Sequence, residues 1–240
     1  MVWMIICIVY ILTYVLIANL KFYFQYKKSS YKDKSGNSFK KTRWDRGISG
    51  EFLTYVKLEN LKGEHKLFTN LYLPKADGKT TEIDLVMLDE TGIYVFESKN
   101  YRGWIFGNED YRNWSQTFKN GKKYKFYNPI WQNKGHINAL KAVLGRDDDG
   151  LYKSYIVFSE RCTLKKINVV SPDVKVMKRK RLGVVVKKDR LSSEKVLCKE
   201  EILELERELR KYCLVGDEVK VAHVAGLRRP ANIISFPEER

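Results

Sequence analysis

The stretch from Glu82 to Lys99 constrains the fold more than any other. Two apolar runs, Glu82-Ile-Asp-Leu-Val-Met-Leu88 and Gly92-Ile-Tyr-Val-Phe-Glu-Ser-Lys99, are joined by Asp89-Glu90-Thr91-Gly92. β-Branched and aromatic enrichment, period-2 alternation and a glycine-bearing turn read as a β-hairpin. With the turn centred on Glu90-Thr91, paired residue numbers sum to 181 and Asp84 falls opposite Glu97. Lys99 projects from the same face as Glu97, two residues away. Opposed carboxylates repel across a ladder, and buried ones are rare unless paired or metal-bound. The pattern predicts a bound cation with an ammonium beside it. The plainer alternative makes Glu97 and Lys99 the solvated face of an edge strand.

Asp84 and Glu97 are hard oxygen donors suited to sharing a Mg²⁺ ion, with Mn²⁺ as a substitute. Magnesium takes one or two carboxylates and keeps several waters, and the backbone carbonyl of Ser98 can complete the protein's share. Coordination lowers the pKa of a bound water and neutralises charge developing on a phosphoryl group. Lys99 beside the ion would orient or activate that water and contact the scissile phosphate. Such a constellation suits phosphodiester hydrolysis.

The first twenty residues carry no charged side chain, enough apolar chain to span a bilayer as a helix. A cleaved signal peptide is the rival, but it calls for basic residues ahead of the apolar run and a small-x-small site after it. Here Ala18-Asn19-Leu20 leads straight into Lys21. Lys21, Lys27, Lys28, Lys32 and Lys34 follow the run and no basic residue precedes it. The positive-inside rule then puts the rest of the chain in the cytoplasm, as a single-pass protein of the cell membrane.

A formal net charge of +16 favours nucleic acid or an anionic membrane surface as a neighbour. The four cysteines, Cys7, Cys162, Cys198 and Cys213, have no CxxC spacing, which argues against a zinc ribbon. With only His65, His136 and His223, a multi-histidine metal site is also disfavoured.

The remaining pattern predicts an α/β (α+β) domain with a central mixed sheet flanked by helices. Residues 1–22 read as the anchor and 23–45 as a basic, flexible linker. A helix follows from Gly47, with Glu51 in its first turn, then a strand over Phe68–Leu73. Short strands are predicted at Trp104–Phe106 and Tyr111–Phe118. Asn120-Gly121 signals a two-residue hairpin into Lys122–Tyr127. Asn128-Pro129 opens a helix as cap and first residue, closed by Asp147-Asp148-Asp149-Gly150. Strands are expected at Tyr155–Phe158, Val169–Val176 and Gly183–Val186, and a last amphipathic helix over Glu194–Tyr212. Residues 46–160 thus form the core, 161–214 complete the domain, and 215–240 are a polar tail.

The hairpin resembles the signature of the PD-(D/E)XK nuclease superfamily, an acidic residue on one strand followed by (D/E)-x-K on the next. Gly50-Glu51, Glu82-Ile-Asp-Leu-Val86, Val95-Phe-Glu-Ser-Lys-Asn100, Gly103-Trp-Ile105, Trp114, Asn128-Pro129 with Gln132, and Val157-Phe-Ser159 occur in order. Together they resemble the nuclease-related domain (NERD) family over about residues 46–160, a family often bacterial and sometimes set behind a transmembrane segment. The resemblance implies a restriction-endonuclease-like core in which Asp84 and Glu97 bind metal and Lys99 is catalytic. It makes Glu51 the helical acidic residue near the metal and Gln132 a helix residue near the active site. Branches with that glutamine often have tyrosine four residues later, where this chain has His136. By itself His136 reads as a partly buried polar residue rather than a ligand.

The sequence therefore predicts a membrane-anchored, metal-dependent nuclease acting on nucleic acid, DNA in the first instance. The alternative is a membrane-tethered nucleic-acid-binding module with the same fold and little catalysis. A third reading makes the positive charge a lipid-surface device. The basic run Lys178–Arg181 has no interleaved aromatics and reads as a solvated face. Arg102, Arg112, Lys122 and Lys123, after the hairpin, are better placed to line a nucleic-acid groove.

Overall fold

A computed structural model describes residues 1–75, 78–148 and 150–227. Asp149 of the predicted helix stop and the tail beyond Leu227 lie outside the described residues.

The chain opens with α1 (Val2–Lys28), α2 (Tyr31–Ser35), α3 (Phe39–Trp44) and α4 (Arg46–Glu59). The strands β1 (Lys66–Pro74), β2 (Thr80–Asp89) and β3 (Gly92–Lys99) follow, then β4 (Gly103–Asn108), β5 (Asn113–Thr117) and β6 (Lys123–Tyr127). Helix α5 (Pro129–Leu144) leads to β7 (Tyr152–Phe158), β8 (Cys162–Asn168) and β9 (Val174–Lys178). Helices α6 (Arg179–Ser192), α7 (Lys199–Arg210) and α8 (Asp217–Leu227) end the described chain.

The strands form two mixed sheets, ordered β1-β2-β3-β7-β9 and β6-β5-β4-β8. In the first, β1, β2 and β3 are antiparallel, and β3, β7 and β9 are parallel. Strands buried on both faces lose simple alternation, which is why β3 reads as one apolar run. One face packs α4 and α6 through Phe52, Tyr55, Leu182 and Val186. The other packs α5 and α7 through Ile137, Leu140, Leu205 and Leu209. A third core, with Ile105, Trp114, Ile156 and Phe158, joins the sheets. The central mixed sheet flanked by helices is as expected, and the second sheet adds to it.

Several local expectations change. Gly183–Val186 lies within α6 rather than in a strand: Leu182 and Val186, one helical turn apart, are buried, whereas Val184 is 73% exposed. The 169–176 segment yields a strand only from Val174, while the unforeseen β8 covers Cys162–Asn168. The last amphipathic helix starts at Lys199 because Cys198 and Glu201 form a capping box there. The β5–β6 pairs from Asn113↔Tyr127 to Thr117↔Lys123 leave a longer loop than Asn120-Gly121 alone. Phe118 N bonds Lys122 O, and Gly121 takes a left-handed φ of 81°, the geometry of a three-residue turn. Part of the polar tail is the helix α8.

The largest difference is at 23–45. Helix α1 continues to Lys28, and its end packs Phe22 and Tyr26 against Phe39 and Phe52. Tyr26, Tyr31 and Thr42 are buried, the Tyr26 hydroxyl donates to Asn37 O at 2.7 Å, and Arg43 Nε donates to Asn19 Oδ1 at 2.8 Å. Scattered aromatic residues thus turn a basic, Gly/Ser-bearing segment into part of the core. The apolar window of α1 is unburied, and by length and composition this helix is a candidate membrane span; a signal sequence meets the same description.

Candidate active site

Helix α4 brings the first acidic residue. Asp45 Oδ1 caps it by accepting from Ile48 N at 3.0 Å, so the helix starts at Arg46 and Glu51 lies beyond its first turn. The helix dipole, strongest within that turn, does not account for a carboxylate there. Gly50 lets α4 approach the end of β3: a Cβ on it would stand 2.9 Å from Asn100 Cβ.

The β2–β3 pairs run from Asp89↔Gly92 to Leu85↔Phe96, all with the predicted sum. Beyond Leu85 the ladder opens. There Ser98 N donates to Asp84 Oδ2 at 2.9 Å, so the aspartate side chain takes a main-chain hydrogen bond of the neighbouring strand. Burial alternation steps at the same place: Ile83 shares a core with Val86 and Leu88, while Leu85 and Met87 face the other. On β1, Asn70 lies between the pairs Thr69↔Leu85 and Leu71↔Ile83 with a left-handed φ of 54°, a conformation asparagine tolerates better than most residues. Asp84 therefore sits in a step that interrupts regular pairing on both sides.

Glu97 is 1% exposed, and both its oxygens are engaged. Oε1 is 2.6 Å from Lys99 Nζ, and Oε2 is 3.1 Å from His136 Nε2. Lys99 Nζ also donates to Gln132 Oε1 at 2.9 Å. His136 Nδ1 lies 2.9 Å from Thr81 Oγ1. A carboxylate only accepts, so Nε2 carries the hydrogen toward Glu97 and Nδ1 can accept from the threonine. Asn128 caps α5 by accepting from Ile130 N, and Pro129 is its first residue, which fixes the position of Gln132 and His136 one turn apart. Ser98 Oγ donates to Thr54 Oγ1 at 3.0 Å, tying β3 to α4.

Crowded negative charge dominates the electrostatics. Burial and the neighbouring Glu97 and Glu51 push Asp84 well above the ordinary carboxylate value, and Lys99 and Ser98 N–H only partly offset them. Burial, then Glu82 and Glu97, push Glu51 up to about 8. Burial also works to raise Glu97, but Lys99 and His136 overcome it and hold this carboxyl below its ordinary value. Burial opposes the charge on Lys99, and Glu97 and Asp84 more than compensate, raising it. The Lys99 ammonium serves Glu97 and Asp84, while Glu51 adds a third carboxyl in electrostatic range, a donor set short of positive charge.

Asp84, Glu97, Lys99, Gln132 and Ser98 thus meet where the middle of β2, the end of β3 and the start of α5 converge, with Glu51 in electrostatic range. His136, expected as a bystander, is in direct contact with Glu97; its spacing from Gln132 was the available signal. Thr81 and Thr54 carried none. The four basic residues do not form one cluster. Arg102 stacks on Phe118 near Lys122 and Lys123, whereas Arg112 lies at the opposite end of the β5–β6 ladder. Among the described residues no group of three or more His, Cys, Asp or Glu is arranged as a ready metal cage. Magnesium does not require one, since one or two carboxylates and waters suffice.

An uncharacterized protein of Bacillus anthracis is 35% identical over 136 residues, covering 56% of this chain and 62% of that relative. The chain thus spans less than two thirds of that relative's length. No solved structure matches. Residues 46–159 match the model of the nuclease-related domain family (NERD), and this segment, which contains the acidic hairpin, α4 and α5, is similar to that family.

Proposed function

We propose that this chain is a metal-dependent nuclease that hydrolyses phosphodiester bonds, with DNA as its first-choice substrate. The observation that carries the reading is the meeting of Asp84, Glu97 and Lys99 at one strand end, with too little positive charge for the carboxyls gathered there. The donor chemistry fits a hard divalent cation, Mg²⁺ or Mn²⁺. Asp84 and Glu97 would hold it, with the Ser98 carbonyl as a further oxygen. When bound, the cation supplies a water of lowered pKa and neutralises charge on the phosphoryl oxygens.

The protein's own groups do the rest. Lys99 offers an ammonium to the phosphate oxygens or the attacking water, and Gln132 holds its Nζ in place. His136 fixes the Glu97 carboxylate by one oxygen, leaving the other to Lys99. Glu51, raised to about 8, can hold a proton at neutral pH and lose it as positive charge arrives. The chain would be anchored through α1, with the domain on the cytoplasmic side as the following lysines imply.

A second reading has one observation in its favour: both Glu97 oxygens already have partners. It makes the domain a tethered nucleic-acid binder. Cleavage by the full chain in detergent micelles, assayed with Mg²⁺, Mn²⁺ or EDTA, separates the two. Metal-stimulated cutting should fall about 10²–10³-fold in Lys99→Ala, the loss typical of one transition-state donor, and vanish in Asp84→Asn. Metal-independent binding with no cleavage of single-stranded, duplex or branched substrates would leave the binder.

A further inference from the structure

The second sheet has an open face that the hydrolytic site does not use. Cross-strand partners share a face, so the register identifies the side chains on each side. Ile105, Trp114, Phe126, Cys162 and Leu164 turn inward to the core between the sheets. Gly107 is required there, because a Cβ on it would fall 2.2 Å from the Trp114 ring. The opposite face carries Trp104 and Phe106 of β4, Tyr127 of β6, and the lysines Lys123, Lys125 and Lys166. At the irregular step in the β4–β8 pairing, Lys165 Nζ lies 5.5 Å from the Trp104 ring centre.

Among the described residues this face is largely open. Trp104, Phe106 and Tyr127 are 36%, 37% and 48% exposed. Among the described residues no helix packs substantially on β4, β5 or β6. None of the residues in β4, β5, β6 or β8 is acidic. Trp104 and Phe106 share one face of β4, with Tyr127 two strands away on the same face; exposed rings gathered on one face mark an interaction site, and a face of lysines without carboxylates selects a polyanion.

We propose that this face binds single-stranded nucleic acid, with bases stacked on Trp104, Phe106 and Tyr127 and phosphates paired with the lysines. Interleaved aromatic and cationic residues on an open sheet suit single strands, whose bases are free to leave their neighbours and lie on a ring. A duplex presents its phosphates but not the faces of its bases. Trp104 and Phe106, two residues apart on one strand, are about 6.6 Å apart along it, close to twice the 3.4 Å step of a stacked strand. Each ring can therefore take a separate base. Tyr127 ends β6 beside α5, the helix that carries Gln132: its ring is 6.4 Å from that of Trp131. The proposal rests on the nuclease reading for its purpose, since it supplies the substrate class, but not for its test.

The full chain in detergent micelles is titrated into fluorescein-labelled dT20, rU20 and a 20-base-pair duplex in EDTA, so that binding is read without cleavage. Single strands should bind more tightly than the duplex. Trp104→Ala and Phe106→Ala should each weaken single-strand binding about 5- to 150-fold and duplex binding much less. The dT20 and rU20 arms show whether the face discriminates DNA from RNA, and preference for either supports it. Lys123→Glu with Lys125→Glu, both exposed, tests the face independently should an aromatic variant fold poorly: single-strand affinity should drop at least tenfold with a shallower salt dependence. Unchanged affinity in these lysine variants or in folded aromatic variants, or tighter binding of the duplex, overturns the proposal. Because binding is read in EDTA, loss of affinity in the face variants and loss of Mg²⁺-stimulated cleavage in Lys99→Ala report on the two readings separately.

Discussion

At the scale of single residues, the hairpin is governed by how three carboxyls share too little positive charge. Glu51 gives this a measurable form. With an ordinary value of 4.5 and a folded one of about 8, it binds its proton more tightly in the folded state. Between those values the folded chain carries more protons than the unfolded one, so stability falls as pH rises; Asp84, also raised, acts with the same sign. In EDTA, the unfolding free energy from urea titrations should decline from about pH 4.5 to 8, by at most about 1.4 kcal/mol per pH unit for a single group and less where solvent screens it. Glu51→Gln should flatten that slope and raise stability at pH 8; an unchanged slope would show that Glu51 titrates normally. Legibility at this scale was uneven. Asp84, Glu97 and Lys99 stood out as charges in apolar strands. His136 did not, because its role depends on a contact with Glu97 across 39 positions of chain.

Secondary-structure elements were legible wherever a local rule fixed them. The β2–β3 register followed from one turn, and the start of α5 from an Asn-Pro cap. Failures came where a nonlocal surface decided the outcome. Gly183–Val186 has the composition of a strand, yet the burial of Leu182 and Val186 against the α4 side of the sheet makes it helical. The second sheet was hidden because its β4–β8 pair joins segments separated by α5 and β7. Element packing also explains how Glu51 reaches the hairpin. Gly50→Val would set branched carbons where one Cβ is already 2.9 Å from Asn100 Cβ, at a cost of about 1–3 kcal/mol as overpacking. The expected outcome is a lower melting temperature together with loss of metal-stimulated cleavage. Wild-type values for both would mean that α4 can shift without consequence for the site.

Across the whole molecule, the junction between α1 and the domain departs most from expectation. A fragment starting at Lys40 removes Tyr26 and Tyr31, both packed on Phe52, and Phe39, packed on Tyr26. It should be less stable than one starting at Lys21 by several kcal/mol, since each lost aromatic anchor costs about 3–5 kcal/mol in a well-packed core. Equal urea midpoints for the two would show that the α1 end contributes nothing to the fold. The same junction bears on where the chain can act. A disordered linker over 23–45 would have given the domain roughly 25 Å of free reach. Instead, the Arg43–Asn19 hydrogen bond and the Phe22 and Tyr26 contacts make helix and domain a single lever. With α1 in a bilayer, the acidic hairpin sweeps only a thin layer beside the leaflet, of about the domain's own 40 Å thickness. Were the chain anchored through α1 as proposed, proximity to the envelope would be a filter of its own, sparing any polymer that stays away from the membrane.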